Sequence, residues 1–208
     1  MSEGRFIAFE GGEGAGKSTQ TRLLAEALRA RKLEVVTTRE PGGTPGAEAI
    51  RALLLGIEGD GWHPRAEALL FAAARSDHVE RLIVPALARG AWVICDRFVD
   101  SSRAYQGGGG GLSDGEVMEL HRIGSGGLLP DLTVLIEVSP DVAEARLDAR
   151  DSGAADRIGG RSAAFHAKVA AAFDRFAAAD PSRFARIDGN GSAESIHIAV
   201  IAALEALA

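Results

Sequence analysis

An α/β fold, with a parallel sheet of about five strands and helices on both faces, is the class this sequence predicts. Three observations predict it. Apolar runs too short for helices alternate along the chain with longer segments of helical period. The runs at 91–96 and 132–138 are apolar at consecutive positions, as strands covered on both faces require. The first run ends in a glycine-rich turn that opens directly into an amphipathic segment, the strand-turn-helix unit of such sheets.

In chain order, 5–10 reads as the first strand, stopped by Gly11 and Gly12. Residues 17–31 follow as a helix, with Leu23, Leu24, Ala27 and Leu28 on one face. Residues 33–38 form a second strand, 39–45 a rigid Pro/Gly loop, and 46–55 a helix. A long Ala/Leu-rich helical region runs from Pro64 to about Arg89, bent near Pro85. The third and fourth strands are 91–96 and 132–138, and 141–150 is a helix. Phe165, Val169, Phe173 and Phe176 repeat every three or four positions, so 162–178 carries one buried stripe. A last strand, 184–187, precedes a closing helix, 193–207. The glycine run 107–111 and the small-residue stretch 151–161 offer nothing to a core, so both are expected to be mobile loops. One domain over 1–208, with a lid at about 150–161, is the expected organisation.

Composition excludes several function classes. Hydrophobic residues at 46% supply a sizeable core, which removes disordered and fibrous classes. A net charge of −6 without a basic run argues against nucleic-acid and membrane-surface binding. No apolar window is long enough to span a bilayer. Acidic Glu10 and Glu13 fall where a secretory leader would be apolar, and a lone Cys95 supports neither an internal disulfide nor a zinc site. A reducing, cytoplasmic setting is expected. The five histidines are scattered without metal-ligand spacing, and no Ser/His/Asp or Cys/His arrangement stands out.

The chemistry is carried by Gly11, Gly12, Glu13, Gly14, Ala15, Gly16, Lys17 and Ser18, which fit G-x-x-x-x-G-K-[ST] between a buried strand and a helix. Glycines let successive backbone N–H groups turn inward toward phosphate oxygens, and the helix adds its positive end. Lys17 supplies a compact charge for the β- and γ-phosphates, and the Ser18 hydroxyl can ligate Mg²⁺. Asp96 and Arg97 follow the third strand, at the carboxyl edge where parallel sheets bind ligands. There Asp96 can hold the Mg²⁺ shell and Arg97 can clamp an anion. Phe71 and Arg75, four apart, share a helix face and could serve a flat heterocycle with carbonyl oxygens, although the pattern alone favours a core contact. Arg150, Arg157 and Arg161 lie in the lid segment, either as solvated side chains or as guanidinium groups closing on a transferring phosphoryl.

The chain resembles the thymidylate kinases, a family of nucleoside-monophosphate kinases with the P-loop kinase fold. The resemblance covers nearly its whole length. It rests on Phe9-Glu-Gly-Gly-Glu-Gly-Ala-Gly-Lys-Ser18, Arg39-Glu-Pro-Gly-Gly-Thr44, Leu70 through Arg75, Asp96-Arg97-Phe98 through Ala104-Tyr-Gln-Gly107, Pro130-Asp131 and Asp156-Arg-Ile158. It implies transfer of the ATP γ-phosphoryl to dTMP with Mg²⁺, giving dTDP and ADP, and a homodimer formed through helices of the 65–125 region. It also implies that residues 11–19, Thr19 included, bind ATP and that Phe71 stacks on thymine beside Arg75. Arg97 would hold the acceptor phosphate with Arg39 nearby, and Glu13 would lie near the sugar 3′-hydroxyl. Tyr105 would exclude a ribose 2′-hydroxyl, while Ser102 and Gln106 would lie near the base. The phosphate loop has no Arg, so the resemblance assigns the catalytic arginine to the lid, as Arg150 or Arg157. Gly110 stands where relatives often carry Arg, and Gly159 and Arg161 stand where acidic residues are common. The competing readings are a deoxynucleoside kinase, with Glu13 or Glu40 as base, and a nucleotide-binding module with weak catalysis.

Overall fold

The computed structural model describes residues 4–57, 61–149 and 160–206. Five strands, β1 (Phe6–Glu10), β2 (Val35–Arg39), β3 (Trp92–Asp96), β4 (Leu132–Glu137) and β5 (Phe184–Asp188), form one sheet in the order β2-β3-β1-β4-β5. Every pairing is parallel, with Phe9 beside Asp96 and Arg39 also beside Asp96. β1 is buried throughout and β4 nearly so, whereas the edge strands β2 and β5 are more exposed, as their positions require. Strand order reverses on either side of β1, so the carboxyl ends of β1 and β3 open the crevice where parallel sheets place ligands.

One face of the sheet packs on α1 (Lys17–Ala30) and α9 (Ala193–Glu205) through Leu24, Leu28, Ile196 and Val200 against Ile7, Phe9 and Val134. The other face meets Val79, Ile83, Ala86 and Phe98. α2 (Pro45–Gly56) begins on Thr44, whose side chain accepts from Ala47 N–H, with Pro45 pre-set for the first turn. α7 (Pro140–Ala149) follows β4.

Three local results differ from the sequence expectation. The helical region after Pro64 is α3 (Pro64–His78), a π-turn at Val79–Ile83, and α4 (Val84–Ala88). Pro85 has no N–H to offer the preceding turn, and the ladder widens there, with Val84 N–H reaching Val79 O. α5 (Val99–Ser102) runs into a second π segment, Arg103–Gly109, which takes in part of the glycine run. That run is a close-contact surface. A Cβ on Gly108 would lie 2.6 Å from Ala172 Cβ, and one on Gly109 would strike the Phe165 ring, so α8 (Ala163–Ala179) packs directly on glycine backbone. Finally, α6 (Asp114–Ser125) occupies a stretch in which sequence periodicity marked no element. Ser113 and Glu116 start it with a reciprocal capping box.

Candidate active site

The phosphate loop leaves β1 at Gly11, whose φ of +134° and close approach to the Ile136 carbonyl leave no room for a side chain. The loop closes on α1, whose first residue is Lys17. The Lys17 ammonium folds over the loop, donating to Gly12 O at 2.7 Å and Gly11 O at 3.2 Å. Burial, and then the positive charge of Arg97, push its pKa down to about 8. Ser18 Oγ donates to Asp96 Oδ2 at 2.6 Å, which joins α1 to the end of β3. Glu13, Gly14, Gly16, Lys17, Ser18 and Thr19 border a cavity of about 480 Å³. Gly11, Gly12 and Ala15 belong to the loop but do not border it.

Arg97 stands opposite the loop with φ +70°, a left-handed backbone that a non-glycine residue adopts at a cost of order 1 kcal/mol or more. Its neighbours hold it there. Nη1 donates to Gly11 O and to Ser101 Oγ, both at 3.1 Å, and Nη2 donates to Glu13 Oε1 at 2.6 Å. The guanidinium lies 5.2 Å from the centre of the Tyr105 ring. Burial opposes its charge, yet Tyr105, Glu13, Glu10 and Asp96 together raise its pKa above the ordinary arginine value.

Behind Arg97 lies Glu10, fully buried at the end of β1. Its carboxylate accepts from Phe98 N–H at 2.8 Å, Ser101 N–H at 3.0 Å and Ser101 Oγ at 2.5 Å. Glu10 thus holds the turn that carries Arg97 and orients the hydroxyl to which Arg97 donates. Burial first, and the charge of Asp100 second, push its pKa from 4.5 up to about 7. Between those values the folded chain keeps a proton that the unfolded chain has released. Stability from this group therefore declines as pH rises from about 4.5 to 7 and levels off above. A shift of that size corresponds to something on the order of 3 kcal/mol. The melting temperature is expected to fall between pH 5 and 7.5, and to fall less steeply in Glu10→Gln. Equal slopes in the two proteins would show that another group titrates.

The far end of the cavity is lined by α3 and the second π segment. Phe71 and Arg75, one helical turn apart, both border it, so their shared face is a pocket wall and not simply core. Arg75 Nε donates to Glu40 Oε2 at 2.7 Å, while Nη2 donates to Ser102 Oγ at 2.8 Å and weakly to Phe98 O at 3.4 Å. Glu40 Oε1 pairs with His78 Nδ1 at 3.0 Å, and His78 Nε2 pairs with Thr38 Oγ1 at 2.7 Å. Ser102, Tyr105 and Gln106 complete this end. Arg39 reaches the mouth, where its guanidinium is exposed and paired with both oxygens of Glu48, at 3.0 and 3.2 Å. Arg150 and Arg157 lie outside the described residues.

The cavity therefore joins a phosphate-binding end to an aromatic end carrying a guanidinium. The comparisons agree with that geometry. A family model described as thymidylate kinase matches residues 9–200. The chain belongs to the thymidylate kinase family. It is 55% identical to a thymidylate kinase of Rhizorhabdus wittichii, over 97% of each chain. It is 51% identical to one of Nitrobacter hamburgensis, over 98% of this chain and 89% of the relative. The crystal structure of thymidylate kinase from Ehrlichia chaffeensis superposes with a TM-score of 0.78 at 34% identity, covering 97% of this chain and 98% of that one.

Within this thymidylate kinase family member, sequence reasoning missed Arg146 on α7. Arg146 borders the cavity, donates through Nη2 to Gly191 O at 3.0 Å, and leaves a buried Nη1 without a partner among the described residues. Its spacing of four from Arg150, in the segment 141–150 that the sequence predicts to be helical, was the available signal. Glu40, named only as a possible base, is 6% exposed and held by two partners, so it acts as the anchor of Arg75. The donors at Ser18 and Asp96 are hard oxygens, which suit Mg²⁺. Among the described residues no cluster of three or more His, Cys, Asp or Glu could hold a metal unaided. Mg²⁺ bound through few protein oxygens and substrate phosphates needs no such cluster.

Proposed function

We propose that this cleft transfers the γ-phosphoryl group of ATP to dTMP, giving ADP and dTDP, and that the chain works as one domain. The carrying observation is the continuity of the cavity. Lys17 and the loop lie at one end, Phe71 and Arg75 at the other, and Arg97 stands between them. ATP lies with its phosphates over residues 11–19, and Arg146 meets the donor side. Thymine lies against Phe71 with a carbonyl oxygen at Arg75, near Ser102 and Gln106. The buried Tyr105 ring closes the space a ribose 2′-hydroxyl would need. Arg97 takes the dTMP phosphate, with Arg39 at the entrance and Glu13 near the sugar.

The attacking oxygen belongs to a phosphate that is already anionic, so no side chain need remove a proton. The protein orients two anions for in-line transfer and neutralises the charge that would otherwise keep them apart. Bound Mg²⁺, held toward Ser18 and Asp96, would supply further neutralisation at the donor phosphates. Arg150 and Arg157 fit the remaining requirement, a cation brought to the transferring group by the lid. Leu69 on α3 and Ile123 on α6, two helices packed together, stay more than half exposed, which supports a homodimer covering them. Both nucleotides are cytoplasmic solutes, and we place the enzyme there.

An ADP-release assay with dTMP, dUMP and thymidine tests the reading. Turnover with dTMP and none with thymidine is expected. Phosphorylation of thymidine without dTMP would indicate a nucleoside kinase, and ATP binding without ADP release for any acceptor would indicate a regulatory module.

A further inference from the structure

Behind the aromatic end of the cavity is a second buried carboxylate, Glu67, which the proposed chemistry does not use. It lies one helical turn before Phe71 on α3, so Glu67, Phe71 and Arg75 form a single stripe at spacing four. Phe71 and Arg75 border the cavity and Glu67 does not. Glu67 is 3% exposed and Gln106 2%. Gln106 Nε2 donates to Glu67 Oε1 at 3.0 Å, and Arg161 Nη2 donates to Glu67 Oε2 at 2.6 Å. Arg161 in turn lies 4.6 Å over the ring of Phe165, which leans toward Tyr105 with ring centres 6.1 Å apart.

A side-chain amide can present either its oxygen or its NH₂ group, and only its surroundings decide which. A carboxylate can only accept, so Glu67 draws the Gln106 NH₂ group to itself. Gln106 Oε1 makes no hydrogen bond among the described residues, and Gln106 borders the cavity. Arg161 pairs with the second oxygen of Glu67 and so fixes the carboxylate against Gln106. Arg75 is fixed by the same device, since Glu40 holds its Nε while Nη1 makes no hydrogen bond among the described residues.

We propose that Glu67, paired with Arg161, is a positioning residue that turns the carbonyl oxygen of Gln106 toward the base, and so selects a pyrimidine bearing N–H at ring position 3. This rests on the placement of the base proposed above. Thymine offers a donor at N3 and a carbonyl at position 4, matching an acceptor at Gln106 and a donor at Arg75. Cytosine offers an acceptor at N3 and an amino group at position 4, so it opposes both.

The test compares steady-state kinetics with dTMP and dCMP for the parent chain, Glu67→Gln and Gln106→Ala, with thermal melts of each. Glu67→Gln keeps the shape but removes the directional acceptor. It is expected to raise KM for dTMP about 10-fold, leave kcat within about threefold, and cut the dTMP-over-dCMP ratio of kcat/KM about 10-fold. An unchanged KM and ratio in folded Glu67→Gln, with Gln106→Ala impaired, overturns the inference and leaves the proposed substrate site standing. A loss of kcat with an unchanged ratio shows a merely structural role and also overturns it. An unchanged KM in Gln106→Ala removes Gln106 from the base site and takes the inference with it. Should Glu67→Gln not fold, Arg161→Gln is read by the same three criteria, because it removes the partner that holds the second oxygen of Glu67 and with it the fixed direction of the acceptor.

Discussion

Arg97→Ala is expected to lower kcat/KM for dTMP by about 10³-fold while the chain remains folded, as read by enzyme kinetics alongside thermal melts. The magnitude follows from removing a positioned cation from a site of phosphoryl transfer. Arg97 is held firmly at this place. Its guanidinium joins Gly11 O, Ser101 Oγ and Glu13 Oε1 at once, which fixes it in three directions. The left-handed backbone at φ +70° strains alanine no more than arginine, so the substitution should not unfold the turn. Glu10 still caps that turn through Phe98 and Ser101 N–H. Arg97→Lys separates charge from geometry. An ammonium keeps the charge but cannot reproduce the planar fork, so it should recover only a small part of the loss. Turnover by folded Arg97→Ala within tenfold of the parent chain would remove Arg97 from the mechanism.

The parts of the fold and site legible in the sequence are those whose information is local. Lys17, Ser18 and the loop glycines are contiguous, and the strands bounding them are short apolar runs, so periodicity and spacing located them. Asp96 and Arg97 could be placed at the same edge because parallel sheets converge there. What stayed hidden depends on partners distant in the chain. Glu10, Glu40 and Glu67 look like ordinary acidic residues at a strand end, in a loop and in a first helical turn. Each is buried because groups from other segments meet it: Phe98 and Ser101 for Glu10, Arg75 and His78 for Glu40, Gln106 and Arg161 for Glu67. α6 escaped periodicity because the residues it buries are Val117, His121 and Ser125, of which only the first is apolar. The glycine run misled for a related reason. Lacking side chains suggested a free loop, whereas in this packing it lets Phe165 and Ala172 reach the backbone.

Lys17→Ala should have an effect of similar size, on the donor side. Its ammonium folds onto Gly11 O and Gly12 O, a conformation that keeps a charge over the loop where the β- and γ-phosphates are proposed to lie. Two influences weaken that charge in the free protein, burial and the neighbouring Arg97, and both push its pKa down to about 8. A polyphosphate brings negative charge against the same ammonium and favours its protonated form. Lys17 should therefore interact more strongly with the transferring phosphoryl than with its resting partners, and that difference is what accelerates a reaction. The expected loss is about 10³-fold in kcat, with a smaller weakening of ATP binding because the loop N–H groups and the end of α1 remain. Calorimetry with ATP and single-turnover kinetics separate the two effects. A variant that binds ATP poorly but turns over normally at saturation would make Lys17 a binding residue only. Lys17→Arg adds a second control: a planar guanidinium fork replaces a compact ammonium point charge that donates to two loop carbonyls, so it should recover little.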